Sequence, residues 1–158
     1  MTHAEDAHQL FAQAVGRPEG SGAWLAITQE RVDAFADVTE DHQFIHVDPA
    51  AAAQYSPWGT TISHGFLTLS LLTVLTSTIE QPTERAAGLV MGVNYGFDKV
   101  RFVNPVKVGA RIRASTVLAS ADLKDPSNLQ VVRTVTVEIE GEAKPALVAD
   151  WVTRLVYS

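Results

Sequence analysis

The sequence predicts an α+β domain in which one long apolar helix lies against a curled antiparallel sheet. Two observations carry this. Residues 63–77 hold Phe66, Leu67, Leu69, Leu71, Leu72, Val74 and Leu75, which point in all directions around a 3.6-residue wheel. A helix that is apolar all round needs cover on every side. Residues 89–157 then read as successive strands joined by connections too short for parallel crossovers.

The chain has 158 residues, the size of one ordinary domain. Hydrophobic residues make up 46% and charged residues 19%, which supports a substantial core and argues against disorder. A net charge of −6 disfavours nucleic acid as the principal partner. There are no cysteines, so disulfides, thiolate nucleophiles and thiolate metal sites are excluded. The first ten residues include Glu5 and Asp6 and no apolar run, unlike a secretory signal, and residues 66–75 are too short to span a bilayer. The expectation is a soluble cytoplasmic protein with no membrane partner.

Residues 7–15 carry weak helical periodicity, and Pro18-Glu19-Gly20-Ser21-Gly22 interrupts it. Within a single domain spanning residues 1–158, residues 1–22 are expected to be a loosely attached N-terminal element. Residues 24–27 suggest a short strand. Thr28 is placed to cap a helix carrying Val32, Phe35, Ala36 and Thr39 on one face. Asp48-Pro49 starts another helix, with a capping carboxylate, proline at the first helical position and four alanines behind it. The cluster Tyr55-Ser56-Pro57-Trp58-Gly59 ends it. Ser63 is the expected cap of the long apolar helix. Strands are expected over residues 89–97, 100–103, 111–123, 130–140 and 145–157. Val131, Val135, Val137 and Ile139 share one face, as do Leu147, Ala149, Trp151, Leu155 and Tyr157.

The chemistry concentrates in Asp41-His42-Gln43-Phe44-Ile45-His46-Val47-Asp48, followed by Ser63-His64-Gly65-Phe66. A carboxylate, an imidazole and a helix N-terminus are the parts needed to move a proton and hold an oxyanion. On residue type alone, Asp41 and His46 read more readily as a solvated loop acid and a surface histidine. Gly65 reads either as a source of a free backbone N–H or as a position where backbone must pack closely. His64 reads as a structural hydrogen-bonding group, and Asp48 as a helix cap. A metal site built from Asp41, His42, His46 and Asp48 is conceivable by ligand type, but their spacing defines no geometry and none is expected.

Asp41-x4-His46, Ser63-His64-Gly65-Phe66-Leu67, the run Asn94-Tyr95-Gly96-Phe97-Asp98-Lys99-Val100-Arg101-Phe102 and Pro105-Val106 together resemble the MaoC-like dehydratases. These are the (R)-specific enoyl-CoA hydratases, or hydratase 2, and the form of the first motif is most similar to the nodulation-protein-N-like branch. The resemblance runs from about Thr28 to the C-terminus. It departs from the usual Gly-Asp-x-Asn-Pro-Leu/Ile-His pattern at Glu40, Gln43 and Phe44.

The resemblance implies a hotdog fold and a homodimer with sheets joined edge to edge. It implies reversible addition of water to trans-2-enoyl-CoA, giving (R)-3-hydroxyacyl-CoA, with no cofactor. Asp41 and His46 become the acid–base pair, Gly65 the backbone donor to the thioester carbonyl, and Gln43 a residue that orients water or substrate. Two other activities share these features: a hotdog acyl-CoA thioesterase and an acyl-CoA-binding module without turnover. The module needs neither Asp41 nor His46. Lys99, Arg101, Lys107, Arg111 and Arg113 are five of the twelve basic residues, with no acid between Lys99 and Arg113. Lys99, Arg101 and Arg111 are therefore candidates to hold the phosphates of coenzyme A, or else strand residues facing solvent.

Overall fold

Helix α1 (His3–Ala12) begins with a capping box, in which the Thr2 hydroxyl accepts from the Glu5 N–H and the Glu5 carboxylate accepts from the Thr2 N–H. Its apolar face buries Ala4, Ala7 and Phe11 against Leu118, Leu129, Val131 and Tyr157 of the sheet. The expectation of a loosely attached N-terminal element is thereby corrected. Periodicity was weak because small alanines make this contact. The computed structural model describes residues 1–158.

Residues 18–22, expected to be a break, instead supply strand β1 (Pro18–Ser21), paired with the later strand over Arg111–Asp125. Gly22 then passes against the main helix, where a Cβ would collide with the Leu75 carbonyl. Strand β2 (Leu25–Ala26) leads into helix α2 (Gln29–Thr39). Thr28 caps α2 as expected, accepting from the Arg31 N–H, and Val32 and Ala36 face the core. A single turn, α3 (Phe44–Val47), follows, and then α4 (Pro49–Tyr55) begins with the Asp48 carboxylate accepting from the Ala51 N–H.

The expected helix over residues 63–77 forms as two pieces, α5 (Gly65–Ser70) and α6 (Leu72–Thr76), with an irregularity at Leu71. Only part of its surface is covered within one chain. Leu67, Leu72 and Leu75 are buried, whereas Phe66 is 66% and Val74 47% exposed. The cap at its start also differs from expectation: His64 holds the N-cap position without a side-chain bond, and the Ser63 hydroxyl donates to the His64 carbonyl instead.

The sheet comprises β1, β2, β3 (Leu89–Phe102), β4 (Arg111–Asp125), β5 (Asn128–Ile139) and β6 (Leu147–Tyr157). Every pairing is antiparallel, in the order β1-β4-β5-β6-β3, with β2 also on β4. Strand β3 is one strand where two were expected. It is broken by an irregularity between Asp98 and Arg101, where Lys99 takes a left-handed φ of 56°. The inward residues of β4, β5 and β6 pack under α5 and α6, forming a core of 15 buried residues around Val135, Val137, Leu147 and Ala149. This is the hotdog arrangement, a helix lying in an open, curled sheet.

Candidate active site

Three short elements converge beside the start of α5. Helix α2 ends at Glu40, whose φ of 63° is left-handed. That conformation favours glycine and explains the usual glycine at this position of the resembled motif. The turn throws Asp41 back across the helix end. Gln43 then takes the N-cap position of α3 and Phe44 its first helical position, where asparagine and proline are the favoured types. The backbone at Glu40, Gln43 and Phe44 is thus of the kind that the usual glycine, asparagine and proline favour. The Gln43 side chain is exposed and makes no hydrogen bond, while its N–H donates to Asp41 Oδ1 at 3.4 Å.

His46 is buried, and its Nδ1 lies 2.7 Å from the Ile62 carbonyl oxygen. A carbonyl can only accept, so Nδ1 carries the proton and the neutral ring presents Nε2 as a lone pair. Burial holds the His46 pKa below its ordinary value, with the neighbouring His64 adding to the effect and the Ile62 and Asp41 contacts opposing it. The unprotonated base is therefore the form present near neutral pH.

His64 is the residue that ties the pair together. It is 2% exposed, stacks on His46 at a centroid distance of 3.8 Å and lies tilted against Phe35 at 4.9 Å. Its Nε2 lies 3.0 Å from the Asp41 carbonyl oxygen and 3.9 Å from Asp41 Oδ2. One carboxylate oxygen of Asp41 and one ring nitrogen of each histidine lie within 4.8 Å of one another. Two near-parallel stacked imidazoles direct their in-plane lone pairs side by side rather than toward one point, which suits a metal ion poorly. His42 and Asp48, the other residues of the conceivable ligand set, are occupied elsewhere, by Asp37 and by the α4 cap.

A cavity of about 360 Å³ opens at His46 and runs past Gly65, Phe66 and Phe102 to Asn104 and Pro105. Its size is that of a small-molecule site. The N–H groups of Gly65 and Phe66 find no acceptor within the chain, the first intrahelical bonds being donated by Leu67 and Thr68 to the His64 carbonyl. Gly65 also meets the packing need: a Cβ there would stand 2.9 Å from the Phe102 ring. Both readings of this glycine hold together.

Gln29 was not singled out by the sequence reading. Its Nε2 donates to the His46 carbonyl at 2.7 Å and to Asp33 Oδ1 at 2.8 Å, and its Oε1 accepts from the buried Thr61 hydroxyl at 2.6 Å. It fixes α3 to α2 and to the strand-like segment before α5. A glutamine at the start of an amphipathic helix carries no signal of such a role.

The basic residues do not form one patch within the chain. Lys99 and Arg101 lie on β3 and Arg111 on β4, with β5 and β6 between them. Arg111 pairs with Glu140 at 3.2 Å, Arg113 with Glu138 at 2.5 Å, and Lys99 with Asp150 at 3.7 Å. Arg101 and Lys107 have no carboxylate within ion-pair reach. Sequence proximity concealed that Glu138 on β5 and Glu140 just beyond it face Arg113 and Arg111 at the start of β4.

The profile of the family described as the MaoC-like domain matches residues 10–141. Nodulation protein N of Rhizobium meliloti is 49% identical over 138 residues, covering 87% of this chain and 84% of the relative. The 3-hydroxyacyl-thioester dehydratase Z of Mycobacterium tuberculosis is 46% identical over 146 residues, covering 92% and 93%. Among solved structures, the (R)-hydratase from A. caviae involved in PHA biosynthesis shares the fold, with a TM-score of 0.69 at 24% identity over 88% of this chain and 94% of its own. No helix is long and apolar enough to cross a membrane. By the extent of these matches, the chain belongs to the MaoC-like dehydratase family.

Proposed function

We propose that the protein is an (R)-specific 2-enoyl-CoA hydratase, adding water reversibly to trans-2-enoyl-CoA to give (R)-3-hydroxyacyl-CoA. The observation that carries this reading is the pairing of a neutral His46, its Nδ1 on the Ile62 carbonyl, with the Asp41 carboxylate less than 5 Å away. One water hydrogen-bonded to both groups at about 2.8 Å spans such a gap. As its oxygen attacks Cβ, one of the two groups takes the water proton and a proton returns to Cα on the same face. The C–O and Cα–H bonds form, a water O–H bond and the C=C π bond break, and the proton taken from water is the one that reaches Cα. The Gly65 N–H, unpaired at the start of α5, is set to stabilise the thioester oxygen as it gains negative charge. Gln43, whose N–H donates to the Asp41 carboxylate, takes the role of orienting water or substrate.

The relative named as a 3-hydroxyacyl-thioester dehydratase supports the same chemistry run in reverse. Among the basic residues, Arg101 is the best placed to meet a coenzyme A phosphate. Lys99 and Arg111 take part by exchanging their carboxylate partners for the ligand. The protein acts as a homodimer joined through β3. That strand is a sheet edge of 14 residues, with Val90 and Tyr95 each 64% exposed and Met91 53%.

The test is loss of enoyl-thioester absorbance with crotonyl-CoA, alongside release of free thiol. Hydration without thiol release is expected. Asp41→Asn and His46→Gln should each lower kcat by about 10² to 10⁴ while far-UV dichroism stays unchanged. Either variant retaining near-wild-type hydration would remove that residue from the chemistry, and stoichiometric thiol release would identify a thioesterase.

A further inference from the structure

The inner face of the sheet is apolar at both ends and polar in the middle. One end packs under α5 and α6, and the other packs under α1. Between them the inward positions of β4, β5 and β6 are Thr116, Arg133 and Thr153. Glu19 of β1 reaches into this belt with its side chain 5% exposed. It accepts from Arg133 Nε at 2.7 Å, Arg85 Nη1 at 3.2 Å and the Thr116 hydroxyl at 3.0 Å. Arg85, 8% exposed, also donates to Gln81 Oε1 at 3.0 Å. The Phe11 ring lies under both guanidiniums, 4.3 Å from Arg85 and 5.8 Å from Arg133.

One carboxylate therefore faces two guanidiniums, leaving a surplus of one positive charge in a largely buried belt. A buried charge without a partner is strongly disfavoured, and a structural ion pair would balance. Buried donors are also left over: Arg85 Nε and Trp151 Nε1 have no acceptor. Space adjoins them. Cavities of about 220, 210 and 140 Å³ share Gln81 in their walls; Arg133 and Trp151 line the largest, and Arg85 lines the other two. None shares a residue with the cavity at His46.

We propose that this belt binds a small monoanionic carboxylate at a site separate from the thioester cavity. The surplus of one charge sets the valence. Planar guanidiniums match a carboxylate in geometry. The walls supplied by Trp151, Ile79 and Thr76 suit a compact, mostly apolar body. A cavity of about 150 Å³ accepts benzene, so the largest of these has room for a ligand of benzoate size.

The test is calorimetric titration of the whole protein with benzoate, benzamide, inorganic phosphate and chloride at constant ionic strength. Saturable binding of benzoate at one per chain is expected, with benzamide at least about tenfold weaker because it lacks the charge. Arg133→Gln should abolish benzoate binding, and Glu19→Gln, which raises the surplus to two charges, should retain or tighten it. Should Arg133→Gln fail to fold, the benzoate–benzamide comparison and Glu19→Gln decide. Absence of benzoate binding, equal binding of benzamide, or binding unaffected in folded Arg133→Gln would overturn the proposal. Chloride competing as well as benzoate would reduce the belt to a counter-ion site, and preference for phosphate would refute the carboxylate assignment.

Discussion

Gln29→Met tests whether His46 is held from behind. The substitution keeps side-chain volume and helical preference and removes every hydrogen bond the amide makes. The bond to Asp33 is near solvent, and water replaces it. The other two matter: the His46 carbonyl loses its donor at 2.7 Å, and the Thr61 hydroxyl, 2% exposed, loses its acceptor at 2.6 Å. An ordinary hydrogen bond is worth about 1 kcal/mol and a stranded buried polar group costs about 1–3 kcal/mol, so the loss should total roughly 2–4 kcal/mol. For a domain of this size that is a fall in Tm of about 4–16 °C. Freed from α2, the α3 turn no longer holds Nε2 in register with Asp41, and a displacement on the order of 1 Å can lower kcat by about 10²-fold. Calorimetry and steady-state hydration of crotonyl-CoA measure the two effects on one sample. A folded variant with lowered Tm but unchanged kcat would refute the positioning role, and an unchanged Tm would refute the energetic argument.

Gly65→Ala should fold, since the Phe102 ring that a Cβ would meet at 2.9 Å is 49% exposed and can turn away. If its N–H is the proposed donor, kcat should nevertheless fall at least about tenfold with KM little changed, because alanine keeps the N–H but crowds Phe102 and shifts the helix start that aims it. A destabilised but fully active variant would leave packing as the glycine's sole role. The folded pKa of His46 lies below the ordinary value of about 6.5, chiefly through burial. As pH falls through about 6.5 the unfolded chain takes the proton first and stability declines, until the folded ring also titrates. The acid limb of kcat/KM should accordingly have its midpoint below about 6.5, and one assigned to His46 but lying above it would contradict the burial argument. Sedimentation should give about twice the 17.1 kDa chain mass; a monomer fully active at nanomolar concentration would eliminate the β3 dimer.

Strict alternation made the strands readable: Val131, Val135, Val137 and Ile139 are all buried on β5, as the period of two requires. The caps at Thr28 and Asp48 were equally plain, because each carries its reason in its own side chain. Asp41, His46 and Gly65 could be singled out because a motif joins them. What remained hidden depends on contacts distant in sequence. The role of α1 rests on residues more than a hundred positions away on β4, β5 and β6. Gln29 acts through a carbonyl and a hydroxyl that no pattern ties to it. The cluster from Lys99 to Arg113 looked like one positive surface because the acids that neutralise Arg111 and Arg113 lie at and just past the end of β5, distant in sequence. The apolar wheel over residues 63–77 overstated burial, since Phe66 and Val74 are not covered within one chain.

The irregular edge of β3 has a bearing on solubility. A row of unpaired backbone groups carrying Val90, Met91, Val93 and Tyr95 is the kind of template on which amyloid-like stacking begins. Such stacking draws on uninterrupted segments of about six residues. The ladder with β6 shifts register between Leu89 and Met91, between Asn94 and Gly96, and between Asp98 and Arg101. Regular runs are thereby cut to Met91–Asn94 and shorter. The left-handed Lys99 sets a long, charged side chain at the last of these shifts. In the single chain, before any dimer covers it, an exposed apolar edge that would otherwise invite indiscriminate fibre growth is divided into pieces shorter than such stacking needs.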